Sequence, residues 1–315
     1  MTCQEAAKWL EQQEDLLILT HRRPDGDTVG CAVALCLSLR KLGKTAYILT
    51  NEDATALFDS YWGDTLAPAG FEPKAVVSVD IASEGLFHKS AEIYKCQVDL
   101  AIDHHGSNEG FAQYNCVEPE KAACGEILYT IITEWFPVDA DIALPLYLAI
   151  STDTGCFVYS NTTPNTHRVA AALMETGIDY AGVNKRHFRT KSYTRLRVES
   201  RIIDTMDLHD EGAIALAAVS LRDMAELGAT EEDLEDIAAF VGQLKGVRTA
   251  VTIRELKPGE CKLSLRTGDG LDASKVCALL GGGGHAAAAG CTVMGSVEEA
   301  KTSILWAIRQ IQNWN

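Results

Sequence analysis

The strongest constraint on this chain's fold is a pattern repeated through its first 180 residues: short apolar runs alternate with longer helical stretches, and several end on an acid or a histidine. Leu16-Leu17-Ile18-Leu19-Thr20 leads into His21, Ala75–Val79 into Asp80, and Val98–Ile102 into Asp103. Ala46–Leu49 is a further run of strand length. Between them, Val29–Leu42 reads as a helix stopped by Gly43, and Ala123–Trp135, Ile142–Ala149 and Thr166–Glu175 as others. Strands alternating with helices predict an α/β fold, a parallel sheet with helices on both faces. Such sheets gather ligands at the carboxyl ends of their strands, where these acids and histidines fall.

A second, smaller α/β unit begins near residue 205. Ala213–Val219, Arg248–Arg254 and Lys262–Arg266 have strand character; Glu231–Val241, Ala273–Leu280 and Val297–Ile311 have helix character. The expected division is 1–182, a linker 183–204, and 205–315, with a site in the cleft between the two domains. The linker is basic: seven Lys or Arg and a single acid, Glu199, lie between Lys185 and Arg201. Such a run is most simply a solvated helix balancing acidic neighbours. The sharper alternative is that it faces the cleft and draws in anions.

Composition narrows the function. The net charge is −16, whereas a grip on long nucleic acid needs a basic track. Long duplex DNA is therefore not an expected partner. No stretch approaches the roughly 18 apolar residues of a membrane span, and Met1-Thr2-Cys3-Gln4-Glu5 does not resemble the start of a secretory leader. Both point to the cytoplasm. The ten cysteines are scattered with no C-x-x-C spacing, which fits reduced, small core residues better than zinc or disulfides.

Four segments carry the candidate chemistry. His21, Asp25 and Asp27 share a turn broken by Pro24 and Gly26. Asp80 closes one strand, Asp103-His104-His105 another, and Asp153 follows an apolar helix. Taken singly, each has an ordinary explanation as a cap, a turn or a surface residue. Together, in order and at one sheet edge, they need counter-charge, because buried carboxylates are expensive. Oxygen donors with imidazoles suit manganese or magnesium, and this many can hold two ions.

These residues resemble the DHH phosphoesterase superfamily, whose defining triplet is seen here as Asp103-His104-His105. Gly281-Gly282-Gly283-Gly284-His285 and Ala288-Ala289-Gly290 resemble its DHH-associated C-terminal domain. The resemblance covers nearly the whole chain. It is strongest to the stand-alone branch of nano-RNases and phosphatases of 3′-phosphoadenosine-5′-phosphate (pAp). It implies two Mn2+ per chain, with Mg2+ or another divalent ion as a substitute. His21, Asp25 and Asp80 would hold one ion; Asp27, Asp80, His104 and Asp153 the other. Asp103 would orient a histidine, and His105 would lie by the scissile phosphate. Arg266, Gly282, Gly283, Gly284 and His285 would bind substrate, the glycines through backbone N–H groups. One departure is Val158 after Phe157, where relatives often carry a basic or polar residue.

The resemblance implies a manganese-dependent phosphoesterase acting on short RNA oligonucleotides and on pAp, with a homodimer as one possible assembly. The alternatives are a cyclic-di-AMP or pApA phosphodiesterase and a catalytically silent nucleotide-binding module. A RecJ-like exonuclease fits the short acidic chain less well, and the glycine-rich histidine segment argues against a family II pyrophosphatase.

Overall fold

The computed structural model describes residues 1–234, 237–268 and 270–312. It comprises two compact units, Met1–Thr190 and Lys191–Asn315.

The first unit contains helices α1 (Cys3–Glu11), α2 (Gly26–Lys41), α3 (Asp59–Trp62), α4 (Cys124–Thr133), α5 (Ala140–Asp153), α6 (Pro164–Glu175) and α7 (Tyr180–Asn184). Its strands are β1 (Leu16–Leu19), β2 (Ala46–Ile48), β3 (Ala75–Val79), β4 (Leu100–Asp103) and β5 (Tyr114–Val117). They form a parallel sheet in the order β2-β1-β3-β4-β5. The chain leaves β1 towards β2 and returns on the other side to β3, so a topological switch point lies between β1 and β3. Ligands bind at the carboxyl ends beside such a point, and these two strands deliver His21 and Asp80.

Strands β1 and β3 are buried along their whole length, as expected when both faces of a sheet are covered. One face packs on α2, α4, α5 and their neighbours. The other is covered differently from the expectation of regular helices. Phe87, Ala91 and Val98 close it from 3₁₀ turns at Glu84–Leu86 and Lys89–Tyr94 and from the segment before β4. Strand β5 went unread because Tyr-Asn-Cys-Val is only partly buried at the sheet edge.

Helices α2 and α5 cross at very short range. A Cβ on Gly30 would lie 2.2 Å from the Pro145 carbonyl oxygen, and one on Gly26 would lie 2.4 Å from Thr152 Oγ1. Glycine at both positions lets the start of α2 rest against the end of α5. Asp27 and Asp153 meet for that reason.

The second unit has strands β6 (Asp207–His209), β7 (Ile214–Val219), β8 (Thr249–Lys257), β9 (Glu260–Thr267), β10 (Gly283–Gly284) and β11 (Ala288–Met294), in the order β10-β11-β9-β8-β7-β6. Only β7 and β8 run parallel; the other pairs are antiparallel. Helices α11 (Ala273–Ala278) and α12 (Val297–Ile311) cover one face, and α8 (Tyr193–Thr205) and α10 (Ile237–Gly242) the other, with α9 (Leu221–Leu227) beside them. Of the helix expected over Glu231–Val241, residues 235 and 236 lie outside the described residues; a 3₁₀ turn at Glu232–Leu234 precedes them and α10 follows.

The basic run spans the boundary between the units. Val198 and Ile202 of α8 are buried in the second unit's core. Three of its cations meet acids: Lys191 and Arg195 pair with Glu199 at 2.9 and 2.8 Å, and Arg201 pairs with Asp223 and Glu226. Eight of the ten cysteines are buried; Cys96 is exposed and Cys156 half-buried. No helix among the described residues is long and apolar enough to cross a membrane.

Candidate metal centre

The carboxyl end of the first unit's sheet collects the four segments. His21 follows β1, where a bridge to Phe87 fixes the backbone. Asp25 is the N-cap of α2, its Oδ1 accepting from the amides of Asp27 and Thr28. Thr28 Oγ1 donates to the Val79 carbonyl at 3.0 Å and so ties that helix start to the end of β3. Asp80 comes next. Its φ of +58° is a left-handed conformation uncommon for aspartate. Asp103 ends β4, and Asp153 is the last residue of α5.

Two imidazoles point one nitrogen inward and spend the other on a carbonyl. His21 Nδ1 lies 2.8 Å from the Arg22 carbonyl oxygen, and His104 Nδ1 lies 3.2 Å from that of Lys121. A carbonyl only accepts, so each Nδ1 carries the proton and each Nε2 presents a lone pair. His21 Nε2 faces Asp25 Oδ1 at 3.6 Å and Asp80 Oδ2 at 3.7 Å. His104 Nε2 faces Asp80 Oδ1 at 3.5 Å, Asp153 Oδ2 at 3.5 Å and Asp27 Oδ2 at 3.8 Å. Three groups result among the described residues, His21–Asp25–Asp80, Asp27–His104–Asp153 and Asp80–His104–His105, the donor atoms within each lying within 4.8 Å of one another. Asp80 stands between the first two.

The third histidine is held by a carboxylate. Asp103 Oδ1 accepts from His105 Nδ1 at 2.7 Å and from the His104 and His105 amides, while Oδ2 accepts from Asn108 Nδ2 at 2.7 Å. The Asp103 contact raises the pKa of His105. Against the upward push of burial, the bonds from His105 and Asn108 keep Asp103 below the ordinary carboxylate range.

The electrostatics call for cations. Burial, then mutual repulsion, pushes Asp27 and Asp80 well above ordinary carboxylate values, and burial raises Asp153. The ion-pair partners of all three are histidines. Asp153 also sits at a helix C-terminus, where the backbone dipole disfavours an anion. Asp27 is partly relieved: its oxygens accept from the Cys124 and Gly125 amides at 2.7 and 3.0 Å, capping α4, whose own N-cap residue, Ala123, offers no side-chain bond. Asp80 Oδ1, however, is buried without a hydrogen-bond donor. An orphaned oxygen facing the His104 and His105 imidazoles, with further carboxylates nearby, fits a hard divalent ion.

Sequence reasoning passed over two asparagines here. Asn108, in the Gly-Ser-Asn-Glu-Gly turn after the triplet, joins Asp103 to the Ile81 carbonyl beside Asp80. Asn51, just beyond β2, donates to the His21 carbonyl at 2.8 Å and to Thr20 Oγ1 at 2.9 Å. The available signal was position: each follows a strand end within a turn.

In the second unit, Arg266, Gly282–Gly284 and His285 cluster around the start of β11. Arg266 pairs with Ala288, Gly284 with Ala289, and the His285 amide donates to the Ala288 carbonyl at 2.8 Å. The glycines differ in role. Gly282 spends its N–H on the Cys277 carbonyl at 2.8 Å, which corrects the expectation that it offers a free donor. Added Cβ atoms on Gly282 and Gly284 would strike β11 at 2.3 and 2.6 Å, whereas one on Gly283 meets nothing within 4 Å. In the first unit, Val158 is 79% exposed, just beyond three consecutive left-handed residues, Gly155–Phe157.

Comparison with known proteins agrees with this architecture. Residues 15–150 match the DHH family N-terminal domain and residues 212–313 the DHHA1 domain. A bifunctional oligoribonuclease and PAP phosphatase of Thermus thermophilus is 32% identical over 94% of this chain and 89% of its own length. The protein of the same name from Bacillus subtilis is 21% identical, covering 92% of both. The crystal structure of an exopolyphosphatase-related protein from Bacteroides fragilis shares the fold, with a TM-score of 0.88, 21% identity, and coverage of 98% of this chain and 95% of that one. With both family domains in order and a relative this similar along nearly its whole length, the chain belongs to the DHH family.

Proposed function

We propose that this protein is a phosphoesterase that holds two divalent cations, Mn2+ first among them, and hydrolyses short oligoribonucleotides and the 3′-phosphate of pAp. The observation that carries the reading is Asp80, a buried, left-handed carboxylate with an orphaned oxygen, standing between two sets of metal-type donors. His21, Asp25 and Asp80 hold one cation; Asp27, Asp80, His104 and Asp153 hold the other. The cations supply Lewis acidity and counter-charge to a phosphoryl group. The chain's own groups do the rest. Asp103 keeps the proton of His105 on Nδ1, so that Nε2, when protonated as well, donates to a phosphate oxygen or to the leaving oxygen. Arg266, Gly283, Gly284 and His285 are assigned to substrate binding.

The substrate choice is supported by the Thermus relative's activities and by the net charge of −16, which disfavours long duplexes. Turnover of pAp, di- to pentaribonucleotides, pApA and cyclic di-AMP, measured side by side in Mn2+ and in Mg2+, tests it. The expected result is metal-dependent hydrolysis, fastest for pAp and the shortest RNAs. Preference for the cyclic dinucleotide or pApA refutes the substrate assignment. Absence of metal-dependent turnover throughout refutes the enzyme.

A further inference from the structure

We propose that the buried carboxylate of Glu126 acts on His104 through a single peptide group and sets the cation affinity of the His104 side of the centre. The inference rests on the reading above, that Asp27, His104 and Asp153 help to hold a cation.

Glu126 lies in the first turn of α4, is 1% exposed, and belongs to none of the motif segments. Its Oε1 accepts from Thr166 Oγ1 at 2.7 Å and from the Ala122 amide at 3.3 Å; Oε2 accepts from Asn165 Nδ2 at 2.7 Å. The Ala122 N–H and the Lys121 carbonyl are the two ends of one peptide group, and that carbonyl receives the His104 Nδ1 proton at 3.2 Å. One continuous chain therefore runs from imidazole to peptide to carboxylate.

An acceptor carboxylate on the amide side pushes electron density through the peptide onto its carbonyl oxygen and makes that oxygen a stronger acceptor. A stronger acceptor at Nδ1 makes Nε2 a better donor to a metal, the effect a carboxylate has when it binds a ligating histidine directly. The peptide group that follows, Ala122–Ala123, is braced from outside. Asn161 Nδ2 donates to the Ala122 carbonyl at 3.0 Å and to the Asp153 carbonyl at 3.1 Å, linking the loop that holds His104 to the helix end that carries Asp153. His21 is oriented separately, by the Arg22 carbonyl. Glu126 is thus a positioning residue for one side of the centre.

Manganese titration by calorimetry on the full chain tests this in a His21→Ala background, which leaves the His104 side to bind. Glu126→Gln keeps the shape and removes the charge; it should weaken binding about tenfold or more. Thr166→Val removes a hydrogen bond from the same carboxylate but leaves the peptide chain intact; it should lower thermal stability and leave the affinity unchanged. Glu126→Gln binding as tightly as its parent overturns the inference, and so does Thr166→Val weakening binding equally, since Glu126 would then only fasten α4 to α6. If Glu126→Gln does not fold, Glu126→Asp, which keeps the charge but draws it back from the Ala122 amide, decides: a severalfold loss supports the inference and unchanged affinity overturns it. A wild-type chain that takes up no manganese refutes the proposed function itself, a result distinct from wild-type binding that Glu126→Gln leaves intact.

Discussion

The two units hold their candidate residues in opposite ways. In the first, acids and histidines from four distant segments converge at the carboxyl edge of one sheet, and Asp27, Asp80 and Asp103 are almost wholly buried. In the second, the candidates lie on the β10–β11 hairpin and, for Arg266, on the adjoining strand β9, and Gly283, Gly284 and His285 are exposed. Burying charge is unfavourable unless something compensates it, so the first arrangement makes sense only with cations. The second needs no compensation. It follows that variants in the first unit should couple metal binding to stability, and those on the hairpin should change substrate affinity alone.

The hardest test of that contrast is Asp80→Asn. Removing the shared charge should lower kcat/KM about a thousandfold, the several kcal/mol that metal counter-charge supplies. Stability of the metal-free protein should move the other way. Because the folded-state pKa of Asp80 is raised, its contribution is full below the unfolded value of about 3.9 and is lost as pH rises through the folded value. Chelator-treated wild type should therefore weaken towards neutral pH, and Asp80→Asn, whose new residue also tolerates positive φ better, should recover stability there. Denaturation in EDTA at pH 5 and pH 8 measures it. A variant no more stable than wild type at pH 8 would show that the buried charge is compensated from within.

On the hairpin, His285→Ala should raise KM roughly 10- to 100-fold, the 1.5–3 kcal/mol of a hydrogen bond to a charged group, while manganese titrations match wild type. Loss of manganese would erase the distinction between the two units.

Much of this was readable beforehand, for a physical reason. Runs such as Leu16–Leu19 and Ala75–Val79 have few uses other than an interior strand, and acids placed after such runs point to a sheet edge. What escaped reading depended on neighbours distant in sequence. Strand β5 is polar and becomes a strand only by pairing with β4. Asn51 and Asn108 have turn-forming side chains whose targets, His21 and Asp103, become visible only after folding. The glycine-rich segment was read as a single clamp, yet Gly282 and Gly284 are needed for close packing on β11, which no local pattern announces.

That distinction among glycines extends the comparison. Gly30→Ala puts a methyl 2.2 Å from a backbone oxygen at the α2–α5 crossing. It should destabilise the fold by about 1–3 kcal/mol and, by separating Asp27 from Asp153, weaken manganese binding. Gly283→Ala meets no such obstacle and should leave thermal stability within about 0.5 kcal/mol of wild type. Equal destabilisation by the two would mean that the hairpin is as tightly built as the helix crossing.

The smallest expected effect concerns a half-buried histidine away from the metal-type donors. His187 stacks on Phe58, and its Nε2 lies 3.0 Å from the Tyr61 hydroxyl. Burial, helped by neighbouring Arg186, lowers its pKa to about 4. The unfolded chain takes up this proton at about pH 6.5, so between those values the unfolded state binds more protons and stability falls as pH drops. His187→Phe keeps the ring packing and removes the titration. Its unfolding midpoint should therefore decline less than that of wild type from pH 6.5 to pH 4. Parallel curves for wild type and His187→Phe would mean that the first unit leaves this imidazole as accessible to water as the hairpin leaves His285, and the burial contrast would then be confined to the carboxyl edge of the sheet.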